Sequence, residues 1–112
     1  MLIIDDDNNI YLTRGDTATF DIDIKDAEGN PYSMDTNDRV IFTLRRLAGK
    51  GIPLITKTSA TPEFSLATDD TSSLSFGKYK YDIFLYNQVS ENLDTFIANK
   101  IFEIGEEVHD FE

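Results

Sequence analysis

The sequence predicts an all-β protein, an antiparallel two-sheet β-sandwich of seven to eight strands. Three observations carry that prediction. Runs of period-two alternation recur between turn signals, as where Phe20, Ile22 and Ile24 alternate with Asp21, Asp23 and Lys25. No long stretch has the spacing of an amphipathic helix. The chain has 112 residues, 40% of them apolar, with eight Phe and five Tyr, which is material for one core in one domain spanning residues 1–112.

The elements follow in order. Residues 9–13 read as the first strand, and Arg14-Gly15-Asp16 as a turn. Residues 17–25 form a half-buried strand with its aspartates in water. Residues 26–31 close a hairpin, since Gly29 and Asn30 tolerate positive φ and Pro31 cannot donate to a ladder. Tyr32 to Met34 read as a short strand, followed by a turn at 35–37. Residues 38–46 give the cleanest central strand, with Val40, Phe42 and Leu44 on one face and Arg39, Thr43 and Arg45 on the other. A loop with Gly49, Gly51 and Pro53 leads to short strands at 54–58 and 63–66. One helical turn is expected within 69–74.

Residues 78–87 form a long strand with Tyr79, Tyr81, Ile83 and Leu85 inward. Residues 88–94 are a hairpin tip and 95–104 the last strand. That strand changes parity: Phe96, Ala98, Phe102 and Ile104 share one face, Ile97 and Ile101 the other. A bulge near Asn99 and Lys100 would reconcile its two halves. The acidic tail begins at about residue 105.

A polar corner at 68–74, then Gly77, then Tyr79 at the mouth of a long strand, is the pattern of the loop that crosses between the sheets of an immunoglobulin-like sandwich. The antibody-type version is excluded, because there is no Cys and no Trp. The buried set expected is Phe20, Ile22, Val40, Phe42, Leu44, Tyr79, Tyr81, Ile83 and Leu85.

Composition narrows function. With 21 acids against 10 Lys and Arg, the formal charge is −11. Nucleic acid and anionic membranes are repelled at long range, so neither is expected as a partner. The absence of Cys removes disulfides and thiolate metal sites. The start, three apolar residues and then Asp5-Asp6-Asp7, lacks the basic head and long apolar run of a signal peptide.

Each candidate chemistry has a plainer structural explanation. Arg14-Gly15-Asp16 spells an integrin-type tripeptide, but its short flanks favour a tight turn. Asp5, Asp7 and Asn9 have the alternate spacing of half a calcium loop, yet Ile10 stands where that loop needs Gly and Asp16 where it needs Glu. His109 is the single His and lies in the tail, which leaves no imidazole for a triad or zinc site. No catalytic residue, metal site or cofactor is therefore expected, and the chain reads as a non-enzyme. Phe84 and Tyr86 fall on the face opposite Ile83 and Leu85. Either they form an apolar interface patch, or the chain's ends or a loop cover them. They are the candidate partner-binding residues.

Several motifs in order carry a resemblance. They are Leu12-Thr13-Arg14-Gly15-Asp16-Thr17, Gly29-Asn30-Pro31-Tyr32, the run from Asn37 to Leu44, Leu54-Ile55-Thr56-Lys57, the run from Phe76 to Ile83, and Ile101-Phe102-Glu103-Ile104. Together they resemble the immunoglobulin-like N-terminal domain of baseplate upper proteins, from phage and prophage tails of Gram-positive hosts. The resemblance implies a structural tail or baseplate component that holds other tail proteins by protein contacts. It implies a virion protein made in the bacterial cytoplasm. Family members continue into a C-terminal oligomerising region and this chain is shorter, so either a stand-alone accessory protein or the product of a degraded prophage is expected, its oligomeric state open. The alternative is an adhesin-like module that binds a carbohydrate or a host surface protein. Exposed aromatics beside Asp, Asn or Gln on one face would mark it.

Overall fold

Alternation along nine residues, Asp38 to Arg46, sets the middle of the molecule as strand β4. The computed structural model describes residues 1–26, 28–47 and 52–106. In chain order the elements are β1 (Leu2–Ile4), β2 (Ile10–Thr13), β3 (Ala18–Asp21), β4 (Asp38–Arg46), β5 (Ile55–Ser59), β6 (Glu63–Leu66), α1 (Thr68–Thr71), β7 (Gly77–Asn87) and β8 (Leu93–Gly105). The protein is mostly β. A six-stranded sheet has the order β1-β2-β8-β7-β4-β5, and a two-stranded sheet pairs β3 with β6.

Val40, Phe42 and Leu44 are fully buried and lie opposite Leu85, Ile83 and Tyr81 of β7. Both strands turn their apolar parity to one side, and the small sheet packs there. Phe64 of β6 stacks on Phe42 at 4.9 Å between ring centroids and on Phe20 of β3 at 4.9 Å. Tyr81 and Phe102 close the cluster edge-on, at 6.1 Å from each other. The Tyr81 hydroxyl donates to the Asn8 carbonyl. Burial, reinforced by the Asp5 charge, pushes its pKa up to about 12, so it stays a donor.

The corner forms as the sequence indicates, with its helical turn slightly earlier, at Thr68–Thr71. Asp70 accepts the Ala67 N–H at 2.7 Å and pairs with Lys57 at 2.9 Å, which fixes the start of that turn. Gly77 has φ +132°, a conformation that side chains resist. Two residues on, the Tyr79 hydroxyl donates to the Ser75 carbonyl at 2.7 Å.

The change of parity in the last strand is also resolved. Tyr81 pairs with Lys100 and Ile83 with Ile97, so β8 holds one extra residue between them. Asn99 there has φ +55°, and its N–H donates to Asp82 at 2.8 Å. A second shift follows, because Ile83 pairs with Ile97 while Phe84 pairs with Thr95. Phe96 is the residue left over, and both it and Ile97 lean on the core.

Four expectations need correction. The large sheet is mixed rather than antiparallel, because β2 runs parallel to β8. No turn joins those two strands, so nothing forces them to oppose each other. Leu2–Ile4 is a strand that alternation did not reveal; three consecutive apolar residues have no period, and pairing with Ile10–Leu12 makes the strand. Tyr32 to Met34 form no strand, although Tyr32 N–H still reaches the Ile24 carbonyl at 3.0 Å. Pro31 makes only an isolated bridge to Lys25, and the Tyr32 ring is drawn toward Asp38. Finally, Ile22 and Leu85 are half-buried rather than buried. Both lie where the two-stranded sheet stops covering the six-stranded one, since β3 ends at Asp21.

Candidate functional site

Strand alternation puts Phe84 and Tyr86 on the outer face of the large sheet, away from the core. Phe84 sits between Ile41 of β4 and Thr95 of β8, and Tyr86 between Arg39 and Leu93. Phe84, Tyr86 and Ile41 are half-buried by their neighbours in the sheet, and Leu93 is 61% exposed at the margin. The small sheet and α1 lie on the inner side, so among the described residues no element covers this face. Toward the far end of the same face the surface turns ionic, where Arg45 meets Asp82 at 3.4 Å. The patch is thus a small aromatic and aliphatic area framed by charge.

A second feature is an open cleft of about 660 Å³ between the 24–38 segment and the β7–β8 hairpin. Tyr32, Asp38, Leu85, Asn87, Asn92 and Phe96 line it. At its floor Asp38 is only 1% exposed. One carboxylate oxygen accepts the Tyr32 hydroxyl at 2.6 Å and the Asp35 N–H at 3.0 Å, and the other accepts the Asn87 amide at 2.9 Å. The Tyr32 hydrogen bond is the main cause that holds the Asp38 pKa below the usual carboxylate value, with Asn87 and the Asp35 N–H adding to it against burial. The same hydrogen bond pushes Tyr32 up to about 12. A carboxylate that accepts three hydrogen bonds from within the protein is a brace between the loop and the hairpin. Asp38 was not singled out from sequence. Its signal was its parity, for it shares the inward face of Val40 and Phe42.

The Arg-Gly-Asp tripeptide is used up by its own turn. The Arg14 guanidinium lies 4.2 Å over the Phe76 ring and donates to the Leu74 carbonyl at 3.4 Å. Gly15 has φ +84°, and its N–H donates to Thr71 at 2.9 Å. The Asp16 N–H reaches the Thr13 carbonyl at 3.0 Å, and its carboxylate pairs with the Met1 amino group. The acidic start is also a turn. Asp5 accepts the N–H groups of Asp7 and Asn9, each at 2.9 Å, and the Asn9 bond is the leading cause of its lowered pKa. Among the described residues no group of three or more His, Asp or Glu is placed to hold a metal ion. His109 and the tail beyond residue 106 lie outside the described residues. Among the described residues no helix is long and apolar enough to cross a membrane.

Phe84 and Tyr86 are therefore brought together on one open face, while Arg14-Gly15-Asp16 and the Asp5 to Asn9 segment resolve into turns. Comparison with protein-family models, with curated proteins and with solved structures finds no match to this chain.

Proposed function

We propose that this chain is a non-enzymatic structural component of a phage or prophage tail or baseplate, an immunoglobulin-like sandwich that docks on other tail proteins through its outer sheet face. The observation that carries the docking role is the uncovered patch of Ile41, Phe84 and Tyr86. Half-buried aromatics at the centre of a sheet face are the usual anchors of protein interfaces. Two features favour the sandwich type. The Tyr79 hydroxyl returns to the backbone four residues upstream. An early strand also runs parallel to the last strand while β3 and β6 pair in the opposing sheet. The tail assignment itself rests on the sequence resemblance.

The test replaces Phe84 and Tyr86 with Thr, which removes the rings and keeps good strand formers. The natural chain is expected to co-purify with the tail fraction of phage-producing cells, and the double variant to be lost from it while staying folded by circular dichroism. A folded variant that still assembles refutes the docking face. A natural chain that never enters the tail fraction refutes the tail role.

One observation favours the alternative, an adhesin-like module. In the cleft above Asp38, Tyr32 is 38% exposed and stands among Asn87, Asn92 and Asp94. An aromatic face beside amides and a carboxylate suits a sugar ring. Binding to a glycan panel that is lost in Tyr32→Ala, with Phe84 and Tyr86 irrelevant, would move the reading to that class.

A further inference from the structure

The small sheet has only two strands, and its β3 edge is unpaired. The Ile22 N–H points to β6, donating to the Pro62 carbonyl. By alternation the N–H and C=O groups of Thr19, Asp21 and Asp23 point the other way. Among the described residues none of those six backbone groups has a hydrogen-bond partner. Alongside that edge runs a groove of about 460 Å³, between β3 and the inner face of β1, β2 and β8. Ile4, Ile10, Ile22, Ile83, Phe96 and Ile97 line it. Ile4 faces inward by its pairing with Ile10, yet it is 51% exposed, because nothing lies over it. The site thus has a row of free backbone groups beside an apolar trough. Those are the two things an added strand requires.

Charge identifies the occupant. On the outer face of the small sheet Asp21 lies directly across from Glu63, a like-charge pair that opposes itself. No Lys or Arg among the described residues pairs with either carboxylate. Among the described residues Asp23 has only Lys25, at 3.8 Å, and its side chain is 83% exposed. A second copy of this chain, with formal charge −11, would set the same acids against themselves. We propose that the β3 edge binds an extended segment of a partner protein in which apolar and basic residues alternate. The segment becomes the third strand of the small sheet. Its apolar side chains fill the groove at the level of Phe20 and Ile22, and its Lys or Arg side chains project outward beside Asp21 and Asp23, with Glu63 one strand further across. This surface is distinct from the Phe84 patch, and the inference does not depend on the tail assignment.

The probe is a blocked synthetic peptide of alternating lysine and valine, titrated into the full chain and followed by fluorescence anisotropy and amide hydrogen exchange. Two control peptides accompany it, one with glutamate for lysine and one N-methylated on the edge that would face β3. The lysine peptide is expected to bind about tenfold or more tighter than the glutamate peptide, and N-methylation to abolish binding. The amides of Thr19, Asp21 and Asp23 should slow in exchange. In the exposed double variant Asp21→Lys with Asp23→Lys, the preference should invert. Each of four results would overturn the proposal: no binding at millimolar peptide, equal binding of the N-methylated peptide, protection at the β1 or β5 edge instead, or a dimer of the chain formed through β3. The exchange and N-methylation measurements use the natural chain, so the test holds even if the variant fails to fold.

Discussion

The two ends of the inner layer are built from the same kinds of residue and packed to different degrees. At the corner end, Leu12, Leu66, Phe102 and Ile104 are all within 1% of complete burial. At the hairpin end, Ile22, Leu85, Phe96 and Ile97 share the inward side and are only half-buried, and Ile4 is 51% exposed. The apolar content is similar; the covering is not. A two-stranded sheet cannot span a six-stranded one, and β3 ends at Asp21, short of the hairpin. Burial is thus decided by the layer above a residue, which its own hydrophobicity does not reveal.

The sharpest way to break this comparison is to empty one site at each end. Phe42 touches Phe64, Tyr81 and Phe102, so Phe42→Ala leaves a closed cavity and should cost about 3–5 kcal/mol in denaturant unfolding. Ile22→Ala or Phe96→Ala removes a side chain already in contact with solvent and leaves no sealed void. About 1–2 kcal/mol is expected for each. Equal costs at both ends would mean that the hairpin end is closed in solution.

What was legible in the sequence follows the same division. Val40, Phe42, Leu44, Tyr81 and Ile83 were readable because local alternation and final burial agree there. The Tyr79 corner was readable from a Gly and a Tyr two residues apart. Even the bulge at Asn99 left a trace, as a break in parity. Strand β1 was not readable, because a run of Leu2, Ile3 and Ile4 has no period and its pairing partner supplies the structure. The parallel pairing of β2 with β8 joins residues about ninety positions apart, and no local signal encodes such a contact. At the sites the division is similar. Phe84 and Tyr86 were found by parity alone. The Asp38 brace was overlooked because an Asp at the start of a strand looks like a turn residue until its inward parity is noticed.

A smaller effect tests the corner itself. Tyr79→Phe keeps the buried ring and removes only the hydroxyl that reaches Ser75. The Ser75 carbonyl belongs to an exposed residue and can turn to water, so about 1 kcal/mol is expected. A negligible loss would show that the Gly77 conformation alone sets the corner.

The smallest effect concerns pH and belongs to the open end, where the one buried carboxylate among the described residues lies. The folded-state pKa of Asp38 is held below its ordinary value, chiefly by the Tyr32 hydroxyl. A depressed carboxylate adds stability above the unfolded pKa of about 3.9 and loses it as pH falls through the folded value. Tyr32→Phe removes the largest lowering influence and leaves burial, which acts in the opposite direction. The Asp38 pKa should rise, which carboxyl NMR titration reads directly. The variant should be less stable than the natural chain at pH 7, and acid destabilisation should begin at a higher pH. The gap between the two should narrow as pH falls through the folded value of the variant and then through the lower one of the natural chain, below which Asp38 is neutral in both. A gap independent of pH would mean that Tyr32 contributes by packing alone, and that the hairpin end owes nothing to the buried charge of Asp38.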